Sequence, residues 1–526
     1  MSFISLNFLL LFALLVIIYY CLPHRIRWIL LLLFSLFFYS FAGLEANIFI
    51  ICSSFFSWAC GRLISKGFSA EKLALSSLPE GNSREDRKAL KSTFQHKRKL
   101  VLLIGLALNL VLLASLKYTN FFIDNINSIF GSKIERLNLL FPLGISFYTF
   151  RNISYLVDVY WEKTDSERNY LKLLLFTSYF PLIIQGPIAR WAELKNELFY
   201  EKSFSSLRLR SGLYRMLWGY FKKLVIADRL LPVVTGLCAP GEEYKGIFVL
   251  IAALFYAAQL YADFTGGIDI TIGMSECLGI KLPENFKRPY LSRNIAEYWR
   301  RWHISMGTWF RDYVFYPLSL SPFLMRLSRA SRTLSPDISR KLGVYISTLV
   351  TWFLTGLWHG PAWNFVVWGL LNALFILLAE EIRPLSERFR KRFPSLVAGR
   401  LYAGFEITRT FLLMCAIRCF DCYRNVPVTF SMLKSLFTPN QTGKPVVQTL
   451  LSFGLSSADY IVILVGVLFL IFVSLFESKH GDIRLSLEKL RPLYRDLIYL
   501  GLIVAVLVFG IYGFGYEQTE FIYNQF

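Results

Sequence analysis

No polar stretch of this 526-residue chain is long enough to make a separate soluble domain. The eight cysteines show neither zinc-ligand spacing nor a regular disulfide framework. Cys21, Cys52, Cys60 and Cys415 sit in apolar runs, where a thiol behaves as a small hydrophobe. Cys419 and Cys422 form a C-x-x-C spacing, without a thioredoxin-like context or a second ligand pair to give it redox or metal meaning. No internal repeat is visible, which argues against an inverted-repeat transporter. The first apolar run lacks a basic leader and a small-x-small cleavage site, so it is expected to be a membrane span of the mature protein. Histidine is scarce, with five in all. His24, His96 and His480 lie in basic loops, leaving His303 and His359 in motifs read as membrane-embedded.

Long apolar runs dominate what is there. Hydrophobic residues make up 55% and aromatics 17% of the chain, and the mean hydropathy is +0.46. A run of about 18 apolar residues is long enough to cross a bilayer. Such runs recur near 5–22, 28–43, 46–61, 100–117, 138–160, 171–186, 246–262, 342–358, 362–379, 458–476 and 497–514, with weaker signals near 207–232 and 401–420. The expected fold is an all-α polytopic membrane protein with about 11–13 transmembrane helices plus re-entrant or interfacial helices.

The net charge of +21 would suggest nucleic acid in a soluble protein. Here Lys and Arg gather in segments between spans, as the positive-inside tendency predicts, and anionic membrane lipids suffice as partners. Segments 23–27, 62–99, 321–341, 382–400 and 478–496 are therefore expected on the cytoplasmic side. The 62–99 loop reads as charged and partly disordered. Segment 425–457 reads as an outer cover. The tip Leu357-Trp358-His359-Gly360-Pro361 falls at or near the outer side, or folds back into the membrane.

Ionisable groups inside a membrane are costly and serve as functional hypotheses by default. They concentrate in three places. Phe141–Phe150, Asp158 and Gln185–Arg190 contain Pro142 and Gly144, which break an apolar helix; a kinked packing helix reads the same way. Ala262–Pro317 holds Asp263, Asp269 and a basic cluster of Lys287, Arg288, Arg293, Arg300, Arg301 and Arg311. That cluster suits the phosphates of an acyl carrier or simple interfacial anchoring. Thr355–Asn364 places His359 at the tip of an apolar hairpin with small neighbours. A neutral imidazole there can take a proton from a hydroxyl, or can be a packed core residue.

Five pieces then carry a resemblance: FPLGISFYTF (141–150), QGPIAR (185–190), PENFKRPY (283–290), YWRRWHISMGTWFRD (298–312) and GLWHGPAW (356–363). In this order they resemble the membrane-bound O-acyltransferase (MBOAT) family, in its bacterial alginate O-acetyltransferase-like branch. The resemblance implies one membrane domain over 1–526, with a catalytic core near 100–380 and additional spans over 400–526. It implies helices around a central tunnel, a thioester donor from the cytoplasm and an acceptor hydroxyl from the outer side. His359 matches the family's near-invariant histidine and His303 its second. Asn285, Arg300, Arg301, Trp302, Ser305 and Trp358 are implied as donor or substrate contacts. Asp263 and Asp269 read as structural partners. The chain has Gly266-Gly267-Ile268-Asp269 where relatives often have G-Y-S-D, and Pro317-Leu318-Ser319-Leu320 where relatives often have a Gly pair, which leaves the acceptor open.

The expected function is O-acetylation of an extracytoplasmic polysaccharide by a multi-pass inner-membrane enzyme. Acetyl-CoA or another acyl thioester is the expected donor, with no bound cofactor or metal. A separate extracytoplasmic SGNH-type partner is expected and nucleic acid is not. D-alanyl transfer to teichoic acid is the alternative within the family; a polysaccharide exporter is the alternative outside it.

Overall fold

The computed structural model describes residues 2–79, 83–139, 141–239, 241, 243–333, 335–437, 445–512 and 521. Every regular element among them is helical. They form two compact units, one of residues 1–210 with 274–283 and one of 211–273 with 284–526. Among the described residues, six helices are long and apolar enough to cross a membrane: Leu44–Ser76, Arg84–Lys117, Ile247–Cys277, Trp363–Arg392, Ser457–His480 and Pro492–Phe509. The protein is thus a multi-pass, all-α membrane protein. Other apolar runs become shorter or interrupted helices, such as Leu6–Cys21 and Ile145–Tyr160, each of 16 residues. Pro142 sits where the 138–160 run breaks, and proline cannot donate the backbone bond a continuing helix needs.

In the first unit, residues 62–99 depart from the expected loop. The helix Leu44–Ser76 carries one part and Arg84–Lys117 the other. Ser83 and Asp86 cap the second helix reciprocally, and Arg98 pairs with Glu71. Charge in this segment therefore stabilises helix ends instead of solvating a coil. The helix Ile145–Tyr160 is buried on every side from Ile145 to Val159. Asn152 on this helix donates to Ser53 Oγ at 2.8 Å and accepts from Thr177 at 3.1 Å. Arg151 donates to the Phe176 carbonyl at 2.9 Å, beside the end of the helix Tyr170–Ser178. That satisfies a backbone group which the broken helix leaves without an internal partner.

In the second unit, the helices Pro336–His359 and Trp363–Arg392 form the hairpin that carries the tip. A Cβ at Gly356 would meet the Phe365 carbonyl, and one at Gly369 would meet the Trp352 carbonyl. Small residues at both positions let two membrane helices approach backbone to backbone. The Pro439, Asn440 and Gly443 of the expected outer cover lie outside the described residues.

Gly356→Val should overpack this crossing and cost roughly 1–3 kcal/mol of stability. A lowered unfolding temperature of the detergent-solubilised protein, against an unchanged Gly404→Ala control with open space at its Cβ, is the expected result.

Candidate functional site

His303 and His359 lie in the second unit, together with Asn285, Arg300, Arg301, Trp302, Ser305 and Trp358. His359 is the last residue of its helix and is half-buried. His303 caps the short helix Ile304–Phe310, lies in the left-handed region at φ 46°, and is fully buried. Non-glycine residues rarely adopt that conformation, and the surrounding contacts must hold it.

Those contacts come from the PENF segment. The Ile304 amide donates to the Asn285 carbonyl, and the Lys287 amide donates to the Arg301 carbonyl, both at 2.9 Å. Asn285 Oδ1 accepts from the Ser305 amide at 3.0 Å and from Ser305 Oγ at 2.9 Å. It also lies 3.3 Å from His303 Nδ1. Asn285 and Ser305 therefore frame the imidazole. Burial lowers the His303 pKa to about 3, so its imidazole is neutral over the physiological range.

Aromatic rings link the two histidines. The Trp358 ring centroid is 5.8 Å from that of His303 and 4.8 Å from that of His359. Trp368 approaches His359 edge to face at 4.8 Å, and Phe264 approaches His303 the same way at 4.9 Å. Trp302 stacks with Tyr298 and meets Phe286 edge to face. Around the two imidazoles the environment is apolar, which strengthens the few polar contacts present.

The basic cluster divides. Arg301 pairs with Glu297 at 2.6 Å, and Arg311 with Asp312 at 2.8 Å. Lys287, Arg293 and Arg300 are exposed at the surface of the same segment. Asp269 accepts from Arg215 and Lys222, and Asp263 from Lys223, so both aspartates are structural partners. No group of three or more His, Cys, Asp or Glu among the described residues is placed to hold a metal ion.

Two features escape the sequence reading. Cys422 is bonded to Cys238, 184 residues away, and Cys419 remains a buried thiol. The C-x-x-C spacing is thus incidental, because successive turns of one helix carry its two members. Arg418, also buried, donates to the Tyr298 hydroxyl at 3.0 Å and lies 4.2 Å over the Trp302 ring. A charged residue inside the weakly apolar 401–420 run was the available signal. The pairing with Cys238 left none, since spacing cannot specify connectivity.

A match to known proteins agrees with this constellation. Residues 163–420, which include both histidines, match the membrane-bound O-acyltransferase family. Over 286 residues it is 35% identical to a probable alginate O-acetylase of Azotobacter vinelandii, covering 54% of each chain. Over 335 residues it is 31% identical to a peptidoglycan O-acetyltransferase of Helicobacter pylori, covering 59% of this chain and 60% of the relative. A teichoic acid D-alanyltransferase of Bacillus subtilis is 27% identical over 288 residues, or 53% of this chain and 68% of the relative. The chain spans little more than half the length of the alginate O-acetylases it matches.

Alkylation of the denatured, unreduced protein should label the six free cysteines only, with all eight labelled after reduction. Intact-protein mass spectrometry reads the difference; eight labels without reductant would remove the disulfide.

Proposed function

We propose that this protein is an O-acyltransferase of the bacterial cytoplasmic membrane that acetylates an extracytoplasmic polysaccharide. The observation that carries the reading is the pair of imidazoles in contact with one Trp358 ring, His303 sealed and His359 half-open. His359, half-buried at the end of its helix, takes the proton of an acceptor hydroxyl. The hydroxyl oxygen attacks the carbonyl carbon of an acetyl thioester, such as acetyl-CoA. The tetrahedral intermediate collapses with cleavage of the C–S bond, and the proton held by His359 returns to the leaving thiolate. His303, neutral and framed by Asn285 and Ser305, orients the donor or hydrogen-bonds the developing oxyanion. Trp302 and Trp358 wall the passage. Lys287, Arg293 and Arg300, each exposed on the same segment, suit the phosphates of the donor.

Orientation has its own support. The helix Arg400–Tyr423 begins at the basic end and finishes at the disulfide, 24 residues later. That length spans roughly 36 Å at 1.5 Å per residue. Disulfides persist in oxidising compartments, and basic segments favour the cytoplasm. Asn364, five residues past His359, donates to the Phe420 carbonyl at 3.1 Å. His359 therefore lies toward the disulfide-bearing end, the side from which an extracytoplasmic acceptor arrives. An SGNH-type partner on that side would complete delivery to the polymer. The alginate and peptidoglycan O-acetyltransferases among the relatives favour acetyl over D-alanyl transfer, as do the helices Ser457–His480 and Pro492–Phe509 beyond the family core.

Ester-linked acetate in surface and secreted polysaccharide tests the reading. His359→Ala, at equal membrane levels, is expected to match cells lacking the gene; full acetylation would remove the histidine's role. His303→Gln should lower the rate without moving the acid limb of the rate–pH profile. Burial keeps the folded-state imidazole unprotonated until far below neutrality, so the group contributes no titration between pH 5 and 8.

A further inference from the structure

The fully buried, left-handed His303 needs something to hold it, and its two flanks lead to one place. On one flank Asn285 faces its Nδ1 at 3.3 Å. Asn285 follows Glu284, whose carboxylate takes both terminal nitrogens of Arg215, at 2.7 and 2.5 Å. On the other flank the Phe264 ring meets the imidazole edge to face at 4.9 Å. Phe264 precedes Thr265, whose hydroxyl accepts from Lys222 at 2.9 Å. Lys222 also reaches Asp269 Oδ2 at 2.5 Å, and Asp269 Oδ1 accepts from Arg215 Nε at 3.0 Å. The two flanks thus close into a ring of contacts: His303, Asn285, Glu284, Arg215, Asp269, Lys222, Thr265, Phe264 and back to His303.

Arg215 is the only member of this ring that grips both a carboxylate of the Asn285 side and a carboxylate of the Phe264 side. The planar guanidinium does this with three nitrogens in a fixed fork. We propose that Arg215 is a positioning residue for His303, setting the separation of Asn285 and Phe264 and hence the orientation of the imidazole between them. Arg215 touches no reacting atom in this scheme. The alternating order Lys222, Asp269, Arg215, Glu284 keeps each charge beside an opposite one, so the ladder is neutral. A lysine at position 215 keeps the charge and loses the fork.

The proposal rests on the O-acyl-transfer reading for its kinetic test and on geometry alone for its structural one. The kinetic probe is CoA release from acetyl-CoA by the full-length protein in lipid nanodiscs, with oligomannuronate as acceptor. Arg215→Lys is expected to lower kcat about tenfold, equivalent to a small loss of transition-state alignment, with KM for acetyl-CoA within about twofold. Glu284→Gln, at a half-exposed carboxylate that folding tolerates more easily, is expected to move kcat in the same direction. In a His303→Gln background the Arg215→Lys change should add less than about twofold, because both act through one imidazole. An equal loss in both backgrounds would show a general structural role and overturn the proposal. Cryo-electron microscopy of Arg215→Lys decides independently of activity. Asn285 or Phe264 should move away from His303; both contacts retained would overturn the assignment. If the wild type releases no CoA, the acyl-transfer reading fails while the cryo-EM comparison still judges the positioning role.

Discussion

An ion held away from water costs several kcal/mol unless an opposite charge and hydrogen bonds replace the solvent it lost. The second unit of this protein holds many such ions, and their pairing governs how its helices meet. Lys223 lies between Asp228 and Asp263, at 2.8 and 2.7 Å, with all three side chains buried. One residue earlier, Lys222 turns to Asp269. Two adjacent lysines can serve aspartates six residues apart on another helix because residues Phe221–Ala227 form a π-helical turn. The wider turn changes the angular spacing of side chains that a regular α-helix would impose. The charges are met on both flanks of Phe264, and Phe264 is the ring against His303.

The same logic of exclusion separates the two histidines. Both meet Trp358, yet one is sealed and the other is half-open. A sealed neutral imidazole can donate or accept a hydrogen bond in a fixed direction, but it cannot exchange partners with a polymer. A half-open one at a helix end, flanked by Gly360, can. Burial distinguishes the two histidines before any mechanism is assumed, and the proposed acyl transfer gives them different parts.

Much of this was legible in the sequence, for a physical reason. Helical membrane character shows in apolar run length, and the cost of burying polar groups makes exceptions visible. His303, His359, Trp302 and Trp358 stood out because they interrupt apolar or interfacial patterns, and the structure brings all four together in one unit. The 62–99 segment misled, because charged residues that cap and pair along helix ends look like loop composition. Arg215 and Lys222 were hidden inside the weak 207–232 run, since a local pattern carries no information about which distant carboxylates face it. The Cys238–Cys422 bond was hidden for the same reason: its partners lie on helices distant in the chain.

Gly266, the glycine this chain keeps from the family's usual G-Y-S-D, also finds its place in backbone proximity. A Cβ at Gly266 would meet the Gly219 carbonyl, and one at Gly219 would meet the Gly266 carbonyl. One heptad further along each helix, a Cβ at Gly273 would meet the Gly212 carbonyl. Two helices thus cross with glycines facing each other at two levels. Arg215 and Lys222 are carried on one of them and Asp269 on the other. Side chains as short as aspartate can reach a guanidinium only when the backbones come this close. The glycine crossing is therefore the geometric condition for the charge ladder, and the ladder is in turn the frame around His303. A larger side chain at Gly266 would be felt at the imidazole through separation of the helices, although it touches neither histidine.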